Sequence, residues 1–405
     1  MDAIVIGAGA AGLAAARLLR EAGLEVIVLE ARARLGGRIH TLHEPGWPMP
    51  IEAGAEFVHG APPRLMRVLA LAGLETRPSR GSHLLAEGGR LRRADRLWRE
   101  VQQLLAHVGG PERTVREYFD SPGWKRRTNE EQRWMAAAFV EGFDALDLDR
   151  ASLRAIAEES SGGAERIDRV VQGYGALVDW LAAGTRVVLR APATRVLLRD
   201  GEVEVRTRRR AWRARTAIVT LPLAVLQAGA LQFRPALPPR KQQAIDGLAM
   251  GAVVKVALRL ERPLLGRALF LHARSVAVPT WWVPRPLTEH ALIGWAAGPR
   301  AEALPRTDAA IARTALESLR TALGAEIPLS APPLVFDWRR DEYARGAYSW
   351  VPVGQLKQRQ ELAAPVGKQL FFAGEATSSE MSGTVHGALE SGFRAAGEVL
   401  AALPA

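Results

Sequence analysis

The first thirty residues leave this chain few ways to fold. Asp2-Ala-Ile-Val-Ile-Gly7 reads as a buried strand and runs straight into Gly7-Ala-Gly-Ala-Ala-Gly12, then an alanine- and leucine-rich helix, then a second strand Glu25-Val-Ile-Val-Leu that ends on Glu30. That order is a complete β-α-β unit with G-x-G-x-x-G at its first turn. Gly7 allows the tight turn, Gly9 lets the main chain approach a pyrophosphate, and Gly12 lets helix and strand pack closely. The helix start then offers unpaired N–H groups to an anion. Glu30, eighteen residues past Gly12, suits the ribose hydroxyls of an unphosphorylated adenosine. A glycine-rich turn alone has many uses; with both strands, the helix and the acid in place it marks a dinucleotide site.

Composition narrows the chemistry. With 405 residues, 48% of them apolar, the chain has room for two or three domains with sizeable cores. It has no cysteine, which excludes disulfides, thiolate metal sites and cysteine nucleophiles, so redox chemistry must come from a cofactor. The first strand begins at residue 2 and no apolar run approaches the roughly 20 residues of a membrane helix. The expectation is a soluble cytoplasmic protein with no membrane partner. The net charge of +11 is nearly all arginine, with clusters at Arg90 to Arg99 and Arg206 to Arg215. Basic runs can contact phosphates, but interleaved aromatic stacking platforms are missing, and the second cluster suits an exposed hairpin; no nucleic-acid partner is expected.

Helical spacing runs from about Trp98 to Ile156, with Val101, Leu104, Leu105 and Val108, then Trp134, Ala138, Phe139 and Phe143, three and four apart. Strand patterns follow at Arg186 to Leu189, Thr194 to Leu198, Val203 to Val205 and Ala217 to Leu221, a β-meander beside the cofactor unit. Val253 to Leu260 and Ala291 to Trp295 read as strands of a second mixed region, with a helix near Ala309 to Leu323. Gln369 to Ala373 reads as a buried strand, Gly374-Glu375 as a turn, and Thr384 to Ala388 as the opening of a helix running to about Leu403. A helix start carries partial positive charge and would stabilise negative charge on a group bound beside it.

Which dinucleotide binds is suggested by Arg34-Leu-Gly-Gly-Arg38, which resembles the Gly-Gly-Arg signature of two-dinucleotide-binding-domain flavoproteins and favours FAD over NAD. Further motifs match in order: Gly54-Ala-Glu-Phe-Val-His-Gly60, Gly173-Tyr-Gly175, Thr220-Leu-Pro222, Lys255-Val256, Trp338 through Gly346-Ala-Tyr348, and Gly374-Glu375 with Thr384 to Gly387. Over essentially its whole length the chain resembles the flavin-dependent amine oxidase superfamily of monoamine oxidases, polyamine oxidases and histone demethylases. The fold this implies is α/β: an FAD-binding Rossmann-like domain of the two-dinucleotide-binding-domain type, residues 1–62, 163–232 and 337–405, interleaved with an α+β substrate domain, residues 63–162 and 233–336.

The resemblance also implies roles. Cofactor contacts are expected at Gly7, Gly9, Gly12, Glu30, Arg32, Gly36, Gly37, Arg38, Val196, Gly374, Glu375, Thr384 and Val385. Lys255, in an apolar strand, is either an edge residue facing water or a buried group; it matches the family lysine that holds a water against flavin N5, and a desolvated lysine of lowered pKa is a plausible proton or oxygen partner. Tyr348 matches one wall of an aromatic cage that positions the amine. Thr384 stands where monoamine oxidases have a second tyrosine, and Ala347 where those enzymes have the cysteine that links FAD, so FAD is expected to be non-covalent. Glu56 and His59 are candidates for the substrate pocket, with Glu56, Glu158 and Glu159 the acids that could guide a cationic substrate. His40 and His43 lack a third ligand and a helix, and no metal is expected. The implied reaction takes an amine to an imine, with O2 reduced to H2O2. An L-amino-acid oxidase or other flavin desaturase would share the fold, and a non-catalytic flavin or nucleic-acid binding protein is the alternative of a different class. The sequence does not specify an oligomeric state.

Overall fold

The computed structural model describes residues 1–160 and 166–403. Ala3–Ile6 is four apolar residues, all buried, and such a run needs partners on both edges and cover on both faces. It pairs in parallel with Val26–Leu29 and with Thr216–Val219, and Arg186–Val188 and Leu370–Phe372 complete a five-stranded sheet. The last strand comes from the far end of the sequence, which is why the C-terminal segment returns to the cofactor unit. On one face the helices Ala10–Glu21 and Val385–Ala402 pack together over Val5, Val28 and Ile218. Small residues let them approach closely: a Cβ on Gly392 would lie 2.2 Å from the Ala11 carbonyl. The other face, Ile4, Ile6, Ile27 and Leu29, is covered by a four-stranded sheet whose inward side carries Val196, Val203, Val205 and Trp212. Its strands are Ala193–Arg199, Glu202–Thr207 and Ala211–Ala214 in a meander, with Gln232–Arg234 joining in parallel.

A second sheet has seven strands in the order Leu334–Asp337, Val253–Arg259, Ala291–Ala297, Thr280–Trp282, Ala268–Ala273, Ser82–Glu87 and Arg90–Arg93. Helix Asp308–Leu323 covers one face through Ile311, Ala315 and Leu319. The opposite face packs Ala257, Phe270, Trp282 and Ile293 against Ile51 and Phe57, residues that lead out of the cofactor unit. The helical insertion is made of Asp95–Ala106, Val115–Asp120, Pro122–Arg127, Glu130–Phe143 and Leu153–Ser160, joined in one core around Val101, Trp124, Met135 and Val140.

One feature adds to the sequence reading and another corrects it. The first arginine cluster, which the sequence left without an element, begins in an exposed edge strand, Arg90–Arg93, of the second sheet. Residues 239–248, assigned above to the substrate domain, pack with the cofactor half instead: helix Pro239–Gly247 places Ala244 and Ile245, with Leu248, in the core under the meander. By packing, the crossing into the second sheet falls near residue 250 rather than 233, because these apolar residues find their cover on the earlier unit.

Candidate active site

The first turn is built from main chain. Gly7 has φ +110°, and a Cβ on Gly12 would meet the Gly7 carbonyl at 2.0 Å, so both glycines are demanded by the turn and by helix–strand contact. Gly9 differs. Nothing in the protein lies nearer than 3.8 Å to the place its Cβ would take, yet Gly9 lines a cavity of about 1300 Å³. The space a side chain would fill is therefore left for a ligand. Gly9 is also the N-cap of Ala10–Glu21 and offers no side-chain cap, so the first amides of that helix are free to meet an anion. Gly36 pairs with Gly9 across an isolated parallel bridge, and Gly37 follows at φ +60°. Arg34 fixes this second glycine turn by donating to the carbonyls of Leu35, Gly37 and Ile39.

Glu30 is buried at the end of the second strand, with Oε2 accepting from the Ala8 N–H and Oε1 from the Arg32 N–H, each at 2.8 Å. It ties the first turn to the strand end while lining the cavity. Arg32 is paired with Asp341. Arg38 donates through Nη1 to the Ala347 carbonyl at 2.6 Å and to Glu375 Oε1 at 2.8 Å. Burial would raise the Glu375 carboxyl, but Arg38 and Arg359 hold it below the ordinary range, and its other oxygen accepts from Ser349 and from the Gly383 N–H. Gly374, Glu375, Thr384 and Val385 all border the same cavity. The Thr384 hydroxyl is engaged as a cap: it accepts from the Gly387 N–H at 2.9 Å and donates to the Met381 carbonyl at 2.7 Å. Val196 lies elsewhere: it is fully buried in the meander core, and from that strand it is Ala193 that reaches the cavity wall.

Further along the cavity stands Lys255, 1% exposed. Its ammonium donates to the carbonyls of Glu52 at 2.8 Å and Gly54 at 3.0 Å and to Glu56 Oε2 at 2.7 Å. An ammonium has three N–H groups, and all three are taken. Of the two alternatives the sequence left open for this lysine, the buried group is the one found, and it is ion-paired. Glu56 is likewise fully engaged, by Lys255, by Arg169 and by the Trp282 indole N–H at 2.9 Å. Burial acts to raise its carboxyl, yet the charges of Arg169 and Lys255 outweigh it and bring the pKa down to about 2. Glu56 is therefore no free acid for a cationic substrate. Glu158 is exposed and paired with Arg154, and the side chain of Glu159 lies outside the described residues.

Tyr348 reaches the cavity with its hydroxyl donating to the Phe143 carbonyl. Enclosure, with the Asp144 and Glu375 carboxylates nearby, raises the phenol's pKa, so it stays protonated. His59 is exposed at the rim, edge-on to Phe57 with ring centres 6.0 Å apart. The sequence reading missed Arg169, Trp282, and a stack of His83, Trp98 and Phe270 that also lines the cavity. A signal existed for Arg169: Ile-Asp-Arg-Val170 puts two charged residues inside a strand, and both are buried. The arginine clusters are partly neutralised in place, Arg206 and Arg213 by Glu204, Arg92 by Glu131, Arg93 by Asp95 and Arg96 by Glu100.

A doubly covered parallel sheet with a glycine-built dinucleotide cradle, opening into an aromatic chamber with a buried lysine, defines a flavoprotein oxidoreductase. The sequence profile of the flavin-containing amine oxidoreductases matches residues 10–154 and 89–400. Polyamine oxidase 3 of Oryza sativa subsp. japonica is 31% identical over 98% of this chain and 88% of its own length. Polyamine oxidase 2 of Arabidopsis thaliana is 30% identical over 97% and 86%. Among solved structures, putrescine oxidase bound to putrescine superposes with a TM-score of 0.82 at 24% identity, covering 99% of each chain. Cyclohexylamine oxidase from Brevibacterium oxydans IH-35A superposes with 0.80 at 24% identity, covering 98% of each. The chain belongs to the flavin-containing amine oxidoreductase family, and its enzyme class is amine oxidase.

Proposed function

We propose that the chain oxidises an amine to an imine, which hydrolyses to a carbonyl compound, using non-covalently held FAD and reducing molecular oxygen to hydrogen peroxide. The observation that carries this reading is continuity: the glycine cradle and the pair Lys255 and Tyr348 line one and the same cavity. At about 1300 Å³ it exceeds the 300–1,000 Å³ or so of an ordinary small-molecule pocket, as a dinucleotide plus a second molecule requires. Bound there, FAD would supply the two-electron chemistry that takes hydride from the carbon beside nitrogen and returns the electrons to oxygen.

The chain's residues bind, orient and set the charge. The uncapped amides at the start of Ala10–Glu21 and the glycines at 9, 36 and 37 would receive the pyrophosphate, and Glu30 and Arg38 line the same cavity and would hold the rest of the cofactor. The start of Val385–Ala402 brings partial positive charge to the cavity wall and favours negative charge on a ring next to it. Tyr348 offers a flat face against which an amine is oriented. Lys255 and Arg169 keep a positive field there, which lowers the pKa of an incoming ammonium and favours the neutral amine that can give up hydride. Because Glu56 and two carbonyls take its three N–H groups, Lys255 acts as a fixed charge. The absence of cysteine, with Ala347 before Tyr348, supports a cofactor free of a thioether link.

One observation favours a second reading, oxidation of an amino acid: Arg80 and Arg99 line the cavity, both exposed and with no carboxylate at ion-pair distance among the described residues. A peroxide-coupled assay of purified yellow protein on a panel of amines and L-amino acids separates the two. Amine-dependent peroxide, with intact FAD released by acid, is the expected result; turnover confined to amino acids, or flavin that stays with the precipitate, contradicts it.

A further inference from the structure

Two of the relatives named above are polyamine oxidases, but the charges in this cavity do not suit a polycation. A second ammonium drawn into a partly buried site needs a carboxylate or several carbonyls to replace its water. Four acids of the wall are already engaged. Glu30 accepts from two main-chain amides, Glu56 is held by Lys255, Arg169 and Trp282, Asp95 accepts from the His83 N–H and Arg93, and Glu375 is held by Arg38, Ser349 and Gly383. Asp144 is not free either. Among the described lining residues, Glu380 is the acid without a partner, and it is exposed at the rim. Arg80 and Arg99 border the same opening and repel any polycation approaching it.

What the wall does offer is uncharged and ring-shaped. From Lys255 a row of aromatic side chains crosses the face of the second sheet. Trp295 is the direct cross-strand partner of Lys255, Phe270 that of Trp282, and His83 that of Phe270. Ring centres follow at 5.6 Å from Trp295 to Trp282, 6.3 Å to Phe270, 5.0 Å to His83 and 4.3 Å to Trp98. His83 bonds to His272 at 3.0 Å between ring nitrogens. Burial lowers the two imidazoles to about 4 and about 3, so the pair is neutral at ordinary pH. Aromatic faces attract cations, by about 0.5–2 kcal/mol. Here, however, Trp98 already stacks on His83 with ring centres 4.3 Å apart, and Trp282 and Trp295 already have the Lys255 ammonium at 5.5 and 5.8 Å.

We propose that the substrate is a singly charged amine carried on an apolar body of ring size, aromatic or alicyclic, and that diamines and polyamines are poor substrates. This rests on the amine oxidation proposed above. The ring lies along the Trp282–Phe270–His83 row while the amino group points toward Tyr348 and the cofactor cradle. Apolar burial of the ring supplies the binding energy that a polyamine relative would draw from carboxylates.

The test uses the holoenzyme with cyclohexylamine and benzylamine against putrescine and spermidine. Two readouts are taken: the rate of anaerobic flavin bleaching, and the rise in melting temperature at saturating amine without oxygen. The ring amines are expected to bleach the flavin at least about tenfold faster at equal concentration and to raise the melting temperature, whereas the diamine and the triamine do not. Phe139→Glu, which adds a carboxylate to the apolar wall, is expected to narrow that ratio, and Glu380→Gln to leave it unchanged. Faster bleaching by putrescine or spermidine, or a loss of diamine reactivity in the Glu380 variant, overturns the substrate class while leaving amine oxidation intact. Bleaching by none of the four amines overturns amine oxidation itself, and the substrate class with it.

Discussion

The cradle and the aromatic wall are two ends of one cavity, yet they are made in opposite ways. The cradle is main chain: its contacts are amides and carbonyls, and its specificity lies in where side chains are missing. The wall is side chain: charges and rings from residues 56, 83, 98, 255, 270 and 282, with Arg169 behind Glu56, meet from five strands of two sheets, one helix and a loop. A site made by omission tolerates no addition. A site made by mutual pairing fails by subtraction, because each buried charge depends on its neighbours.

That contrast is broken or sharpened most by the glycines. Gly12→Val places a Cβ where the Gly7 carbonyl already lies at 2.0 Å, so soluble, folded protein is expected to be lost. Gly9→Val meets no protein atom within 3.8 Å at its Cβ, so circular dichroism and the melting temperature of the apoprotein should hold while bound flavin falls by at least about tenfold. Stoichiometric flavin in the Gly9 variant would show that the cofactor sits elsewhere. At the wall, Lys255→Met is expected to keep FAD but to slow flavin reduction, reoxidation or both by at least about tenfold. It should also cost about 3 kcal/mol of stability, since the buried Glu56 loses one of its two cations. Stopped-flow absorbance, first anaerobic and then aerobic, separates the half-reactions; wild-type rates in both would remove Lys255 from the chemistry.

A smaller effect comes from the histidine pair. Both imidazoles titrate lower in the folded protein than the ordinary value of 6.5, so the unfolded chain binds protons first as pH falls. Stability from this source is complete above pH 6.5 and is lost as pH falls toward 4. His83→Phe keeps a ring in the stack and removes one titrating group, so the fall in melting temperature across that window should be shallower by a few degrees; an unchanged slope would place the loss elsewhere. The smallest change is expected from Tyr348→Phe. It keeps the ring face and loses one hydrogen bond to the Phe143 carbonyl, worth about 1 kcal/mol, so steady-state rates should drop by no more than about fivefold.

The same contrast explains what could be read from the sequence. Gly7, Gly9, Gly12 and Glu30 are close together in the chain, and their spacing carries the geometry, so the parallel sheet and the cradle were legible. Strand runs at 194–198 and 253–260 were legible for a related reason, since apolar periodicity is local. Arg169 and Glu56 are far apart in sequence and meet only through tertiary pairing; no spacing announces an ion pair, and Glu56 alone looked like an acid open to substrate. His83 and Trp98 were invisible as a stack because the hairpin carrying His83 joins a sheet whose other strands begin some 170 residues later. Residues 239–248 were placed with the substrate domain because nothing local in the sequence says which unit covers Ala244, Ile245 and Leu248.

The central claim is that cradle and wall form one site in which an amine meets a flavin. The most direct measurement is an anaerobic titration of the purified yellow protein with cyclohexylamine, followed by admission of oxygen. The account predicts loss of the oxidised-flavin absorbance in proportion to amine added, then its return with one hydrogen peroxide for each flavin reoxidised. An oxidised spectrum that persists at saturating amine, in protein that dithionite does bleach, would contradict it.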